Sequence, residues 1–133
     1  MRVFVAIDLP DPVRNAIETL QEALPLGRAV DAEQIHLTLA FLGEQPVDRV
    51  EAAHEALEAV AAPAFDLRLT GLGVFDERRP RVIWAGVAED GPLRGLRARV
   101  LSALRGAGLA VERRRFRPHV TLARLDPLDG GGE

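Results

Sequence analysis

The spacing of apolar residues changes along the chain and predicts the order of its elements. Residues 2–8 alternate between apolar faces, as a strand does. A helix is predicted next, with Asp11 as its N-cap and Pro12 in its first turn. Its apolar positions recur at helical spacing and are Val13, Ile17, Leu20 and Leu24. Residues 27–33 are then predicted to form a loop.

A second strand is predicted to end at Gly43. Its odd-numbered residues from Ile35 to Phe41 form one apolar face, and its even-numbered residues from Gln34 to Ala40 form the other. The apolar face is expected to pack on a helix. The other face, which carries His36 and Thr38, is then expected to line a cleft.

The remaining pattern predicts a helix over 46–62, strands over 65–75 and 82–87, a helix from Pro92, and a last strand over 116–125. The order β-α-β-α-β-β-α-β predicts an α+β domain with helices on the outer faces of small sheets. We expect one domain over residues 1–126 and a flexible tail over 127–133. The chain also reads as two similar halves, which an approximate twofold axis would relate.

Composition excludes several classes of chemistry. With 47% apolar residues, 133 residues can bury a core, and no apolar run approaches a membrane span. The absence of cysteine excludes disulfides and thiol nucleophiles. The N-terminus reads as a strand rather than as a signal peptide, so a cytoplasmic location is the default expectation. All 17 basic residues are arginine, so a nucleotidyl-lysine or Schiff-base intermediate is excluded. With a net charge of −3, the arginine clusters at 78–81 and 113–117 are interpreted as solvated loops or strand starts.

One short phrase occurs twice in the sequence. His36-Leu37-Thr38-Leu39-Ala40 is matched 83 residues later by His119-Val120-Thr121-Leu122-Ala123. The chain has only three histidines and four threonines, so composition alone does not account for the repeat. In a strand, each phrase places an imidazole and a hydroxyl on the same face. If the two halves face each other, His36 and His119 meet across a shared groove.

Two facing histidines can supply an acid and a base at neutral pH. Such a pair suits displacement at phosphorus without a metal, and Thr38 and Thr121 could donate hydrogen bonds to the phosphate oxygens. A single His-x-Thr is usually a half-buried structural pair, but two copies favour function. A metal site has thin support, because neither phrase contains a third ligand. His54 is interpreted as a surface residue.

Three further residues have competing interpretations. Phe4 could stack on a nucleobase, although core packing explains it equally well. Trp84 lies in a stretch that is apolar on both faces and is interpreted as core. Arg124 suits phosphate binding, but its position in the strand alternates with those of His119 and Thr121. It would reach the cleft only if the strand bends or ends there.

The paired phrases resemble the HXTX motifs of the two-histidine (2H) phosphoesterase superfamily. The stretches 2–10, HLTLAFLGE, GLGVFDERRPRVIWAG and FRPHVTLARL are similar to its LigT-like branch of RNA 2',3'-cyclic phosphodiesterases, also called 2'-5' RNA ligases. The resemblance extends from Arg2 to about Leu125. It implies a bilobal α+β fold with the active-site groove between the lobes.

The resemblance also implies an activity. Such enzymes open the terminal 2',3'-cyclic phosphate of RNA to a 2'-phosphate without metal, ATP or another cofactor, with 2'-5' joining as a weaker reverse activity. His36 would be the proton donor and His119 the proton acceptor, with Thr38 and Thr121 on the phosphate and Phe4 and Arg124 as candidate substrate contacts. The implied partners are RNAs with cyclic-phosphate or 5'-hydroxyl ends, tRNA fragments among them. No membrane or obligate protein partner is implied.

The chain departs from the family pattern in two places. Typical members continue beyond the second motif with further strands, and they usually carry an aromatic residue where this chain has residues 27–30. A shorter end is compatible with a more open groove, a dimerising edge strand or a substrate-binding remnant. Two alternatives therefore stay open: a phosphodiesterase for small cyclic nucleotides or 2'-5' oligonucleotides, and a noncatalytic RNA-end binding module.

Overall fold

A computed structural model describes residues 1–24, 27–74, 82–113 and 115–125. The strands are β1 (Arg2–Asp8), β2 (Arg28–Ala29), β3 (His36–Glu44), β4 (Arg68–Val74), β5 (Val82–Ala88) and β6 (His119–Arg124). The helices are α1 (Asp11–Ala23), α2 (Val47–Glu58) and α3 (Gly91–Gly106), with a short 3-10 helix at Ala32–Gln34. The α+β class predicted from the sequence is confirmed.

The described strands are neighbours in the order β1-β3-β6-β5-β4, and β2 also pairs with β6. The pairings of β6 with β2, β3 and β5 are all antiparallel. The twofold relation between halves, the groove between lobes and the single domain over 1–126 stay predictions. The tail over 127–133 and the turn expected between the hairpin strands lie outside the described residues.

Two compact units can be distinguished within the chain. The first contains residues 1–6, 38–68 and 89–117, and the second contains the described residues of 7–37, 69–88 and 118–133. In the first unit α2 packs against α3, and the buried residues of α3 lie on one face of that helix: Leu93, Val100, Leu101 and Leu104. In the second unit α1 contacts β6, and the buried side chains include Ile17, Ile35, Leu37, Val120 and Leu122. Each unit thus has apolar side chains buried within it.

Several predicted boundaries and faces need correction. Pro10 takes the N-cap position of α1 and makes no side-chain capping bond, so Asp11 is the first helical residue. Helix α2 ends at Glu58 rather than at residue 62. The predicted loop over 27–33 contains the strand β2 and the start of the 3-10 helix. On β3, Phe41 is 36% exposed whereas Ala40 and Leu42 are buried, so the predicted apolar face ends at Leu39.

Candidate active site

The second motif lies on β6, and its pairing with β5 fixes which side chains share a face. His119 is opposite Gly86, Val120 is opposite Ala85, and Thr121 is opposite Trp84. Val120 is fully buried, whereas His119 and Thr121 are half-buried. Because opposed residues in a sheet share a face, His119, Thr121 and Trp84 lie on one face, opposite to Val120.

The first motif meets the second through one pair of buried residues, Leu37 and Val120. Their shared face is opposite to the motif face, so His36 lies on the same face as His119 and Thr121. If the same antiparallel register continues by one residue beyond this recorded pair, His36 is opposite Thr121 and diagonal to His119. The Cα atoms of diagonal neighbours in such a pair are about 7–8 Å apart. A phosphate group can therefore lie between the two imidazoles and contact both. Thr38 follows His36 on the same face of β3.

Arg124 also lies on the motif face, which corrects the alternation inferred from the sequence. The register of β6 against β5 shifts between Ile83 and Trp84, because Ala123 is opposite Ile83 while Thr121 is opposite Trp84. Leu122 is therefore an extra residue on β6, a bulge that reverses the alternation beyond it. Arg124 is opposite Val82, which shares its face with Trp84, and is exposed.

Arg28 lies on the motif face, a placement that the sequence did not indicate. It lies on β2 directly opposite Arg124, so both guanidinium groups project from the motif face. Two guanidinium groups on one face of a sheet suit the binding of an anion. The signal was hidden because residues 27–33 lack the length and alternation of a strand.

The bulge at Leu122 is held by hydrogen bonds from two other segments. The Leu122 carbonyl accepts one from the Val30 amide at 2.9 Å and one from Gln21 Nε2 at 2.8 Å. Gly27, which has a φ of 86°, lets β2 approach closely, since a Cβ there would lie 3.0 Å from the Arg124 carbonyl. Helix α1 and β2 together therefore fix the strand segment that carries Arg124.

His36 lies beside an ion pair. Burial lowers the pKa of His36, the negative charge of Asp8 acts to raise it, and the positive charge of Arg14 lowers it further, with a net downward shift. Arg14 contacts Asp8 at 3.5 Å and donates from Nε to the Leu9 carbonyl at 2.9 Å. The neutral form of the His36 imidazole is therefore favoured in the free protein.

Trp84 contacts His119 and is not simply a core residue. The two rings meet edge to face with their centroids 6.2 Å apart, and Trp84 is half-buried. Its indole lies over Gly73 of β4, where a Cβ would come within 2.5 Å of Cζ2. The indole therefore needs a glycine on the neighbouring strand in order to lie against His119.

The other candidate residues lie elsewhere in the chain. Phe4 is 48% exposed on β1, so core packing does not account for it, and its role in substrate binding stays a prediction. His54 is exposed on α2 and pairs with Glu58 at 2.9 Å. The described residues contain no cluster of three or more His, Cys, Asp or Glu that could hold a metal. No helix in the described ranges is long and apolar enough to cross a membrane.

The chain matches a known protein family over most of its length. A sequence model of the 2'-5' RNA ligase superfamily matches residues 9–130. The chain belongs to the 2'-5' RNA ligase superfamily. It is 41% identical over 128 residues to an RNA 2',3'-cyclic phosphodiesterase of Geobacillus stearothermophilus, covering 91% of this chain and 41% of the relative. The corresponding enzyme of Archaeoglobus fulgidus is 34% identical over 129 residues, which cover 94% of this chain and 73% of the relative.

A solved structure supports the same relationship. The crystal structure of Escherichia coli LigT in its apo form superimposes with a TM-score of 0.78 at 33% sequence identity. The superposition covers 98% of this chain and 73% of LigT. This member of the 2'-5' RNA ligase superfamily therefore spans between two fifths and three quarters of the length of these three relatives.

Proposed function

We propose that this chain hydrolyses the terminal 2',3'-cyclic phosphate of RNA to a 2'-phosphomonoester, without metal or ATP. The observation that carries the proposal is the pairing of the two motif strands, which brings His36, His119 and Thr121 to one face. The names of the similar relatives, RNA 2',3'-cyclic phosphodiesterases, support the same substrate and reaction.

In the proposed reaction the cyclic phosphate lies between the two imidazoles. His119 takes a proton from water, whose oxygen attacks phosphorus, and the bond from phosphorus to the 3' oxygen breaks. His36 gives its proton to that departing oxygen, which leaves the phosphate on the 2' oxygen. Thr38 and Thr121 donate hydrogen bonds to the nonbridging oxygens, where negative charge increases in the transition state.

The lowered pKa of His36 makes its protonation part of the proposed cycle. A proton donor must begin the step as imidazolium, whereas burial favours the neutral ring. An anionic phosphate bound beside the ring acts in the opposite direction, because an adjacent negative charge raises the pKa of an imidazole. Substrate binding is therefore expected to load His36 with the proton that it later donates.

Two arginines extend the proposed phosphate site. Arg124 and Arg28 face each other across β6 and β2 on the same face as His119. Guanidinium groups bind phosphate oxygens through two parallel hydrogen bonds, so this pair suits the anionic end of the substrate. Phe4 stays a candidate for base stacking.

The proposed partners are RNAs that end in a 2',3'-cyclic phosphate, tRNA fragments among them. RNAs with 5'-hydroxyl ends would be the second substrate of the reverse 2'-5' joining. Neither a membrane nor an obligate protein partner is part of the proposal. It includes a cytoplasmic location, which a sequence without cysteine suits.

The test uses an RNA oligonucleotide with a 2',3'-cyclic phosphate end, in EDTA and without ATP. The wild-type protein is expected to yield a 2'-phosphate, and His36→Ala and His119→Ala are each expected to lower the rate by about 10²–10⁴-fold. His54→Ala is the matched control, since this exposed histidine pairs with Glu58 on α2. Wild-type rates in both folded motif variants would contradict the assignment, and loss of wild-type activity in EDTA would contradict metal independence.

The substrate itself is tested with a length series. The cyclic-phosphate substrates run from a mononucleotide to an RNA of twelve nucleotides, with a 2'-5' oligonucleotide alongside. A preference for the mononucleotide or for the 2'-5' oligonucleotide would show that this compound, rather than an RNA end, is the natural substrate. Binding of the cyclic-phosphate RNA without turnover between pH 5 and pH 9 would instead identify a noncatalytic RNA-end binding module.

A further inference from the structure

A pocket of about 790 Å³ in the first unit is lined by four arginines and one glutamate. Three turns of α3 supply one wall, and the segment after that helix supplies the other. The lining residues are Arg97, Leu101, Arg105, Leu109, Ala110, Val111, Glu112, Arg113 and Arg115. This concentration of positive charge contrasts with the net charge of −3 of the whole chain.

Arg97 is held in a fixed orientation at this pocket. Its Nε donates to the Leu39 carbonyl at 2.9 Å, and its guanidinium carbon lies 4.4 Å from the centre of the Phe116 ring. The hydrogen bond and the ring contact together restrict the guanidinium plane before any ligand binds. Burial and the positive charges of Arg105 and Arg94 lower the pKa of Arg97. The three guanidinium groups are therefore close enough for their positive charges to repel one another.

The other three arginines are available to a ligand. Within the described ranges, no hydrogen bond or ion pair engages the side chains of Arg105, Arg113 and Arg115, and all three residues are exposed. The carboxylate of Glu112 approaches the backbone at Gly43, where a Cβ would lie 3.3 Å from Oε1. The guanidinium groups thus outnumber the carboxylate of the lining, and three of them have no acidic partner among the residues that the structure describes.

We propose that this arginine pocket binds the phosphodiester backbone of the RNA substrate, at nucleotides that precede its reacting end. Arginine forks match the paired oxygens of successive phosphates, and the apolar side chains between them can contact the sugars. The proposal rests on the proposed function, because it assigns the substrate to polynucleotides rather than mononucleotides. It also changes the interpretation of residues 113 and 115, which the sequence suggested to be merely solvated.

The test measures binding separately from turnover. The probe is a fluorescein-labelled, single-stranded RNA of twelve nucleotides with an ordinary 3'-hydroxyl end, and its anisotropy is followed over a salt series. The variant is Arg105→Gln with Arg113→Gln, since neither side chain hydrogen-bonds to another described residue. The control is Arg2→Gln with Arg68→Gln, which removes equal charge from exposed positions outside the pocket lining.

The pocket variant is expected to bind the probe at least tenfold more weakly than the control variant. The slope of log affinity against log salt should fall by about 0.7 for each arginine that no longer neutralises a phosphate, or about 1.4 for the two together. With cyclic-phosphate substrates, KM should rise for the twelve-nucleotide RNA at unchanged kcat, whereas turnover of the mononucleotide should stay at the wild-type value.

Several results would overturn the proposal. Equal binding by the pocket and control variants would remove the pocket from RNA binding, and equal loss of mononucleotide turnover would show an effect on folding or on the catalytic site. Displacement of the probe by polyglutamate as effectively as by unlabelled RNA would identify a site for acidic peptides instead. A failure of the proposed function alone would give a different result from these. The wild-type protein would then bind the 3'-hydroxyl probe through the pocket but would not cleave any cyclic phosphate.

Discussion

Replacing Gly73 with alanine tests the contact between Trp84 and His119. The added Cβ would lie 2.5 Å from Cζ2 and 2.6 Å from Cη2 of the indole. Carbon atoms pack at about 3.5–4.0 Å, so the indole has to move by about 1 Å. That movement changes the contact of the indole with the His119 ring, whose centroid now lies 6.2 Å away.

The structure gives the expected size of two effects of Gly73→Ala, one on stability and one on the reaction rate. Overpacking of this kind destabilises a protein by about 1–3 kcal/mol. For a chain of this length each kcal/mol lowers Tm by about 3–5 °C, so a fall of roughly 3–15 °C is expected. A displacement of 1 Å at a catalytic group can reduce the rate about 10²-fold, and we expect kcat/KM for the cyclic phosphate to fall by about 10–10²-fold.

The assay is a double-mutant cycle in which Trp84→Phe supplies the second background. Phenylalanine lacks the outer ring atoms with which the alanine Cβ at position 73 would clash. In the Trp84→Phe background, Gly73→Ala should therefore lower Tm by less than half as much as it does in the wild-type background. Thermal unfolding followed by circular dichroism gives the stability, and initial rates on cyclic-phosphate RNA give the activity. An equal cost in both backgrounds, or a wild-type Tm for Gly73→Ala alone, would refute the reasoning.

Two further predictions follow from charge and from helix propensity. Asp8→Asn removes the charge that raises the pKa of His36, so the pKa should fall further below 6.5. The high-pH limb of kcat/KM, where the proton donor His36 loses its proton, should therefore move to lower pH. The histidine proton resonances measure this shift, with Asp11→Asn as the control, and an upward shift would contradict the attribution. Gly95→Ala should stabilise the protein by about 1 kcal/mol, because a new Cβ at this exposed position in α3 would meet no described atom within 4 Å. Gly71→Ala is the opposite case, since its φ of 67° strains any side chain, and a Tm gain there in place of one at Gly95 would show the reasoning to be wrong.

The sequence correctly predicted those elements of the fold that depend only on local residue patterns. Helix α1 and strand β1 follow from regular spacing, and the doubled phrase led to the histidines that β3 and β6 bring to one face. The short strand β2 escaped prediction because two residues cannot show alternation. Its existence depends on Gly27 and on hydrogen bonds to a strand nearly a hundred residues away.

Arg124 shows why part of the site could not be predicted. Counting alternate residues from His119 places it on the wrong face, since the count assumes a regular strand. The extra residue Leu122 is revealed only by the register with β5. Trp84 was similarly misjudged, because an apolar stretch does not reveal which ring lies beside a histidine of another strand.

The contact between Trp84 and His119 also gives the protein an intrinsic optical probe. The sequence has one tryptophan and no tyrosine, so fluorescence excited at long ultraviolet wavelengths arises from Trp84 alone. Its indole lies edge to face with a histidine of the motif site. An indole responds to charge placed near its ring, so its emission is expected to change when a phosphate binds beside His119. Occupancy of the site can therefore be titrated in the unlabelled wild-type protein, with substrates that carry no dye.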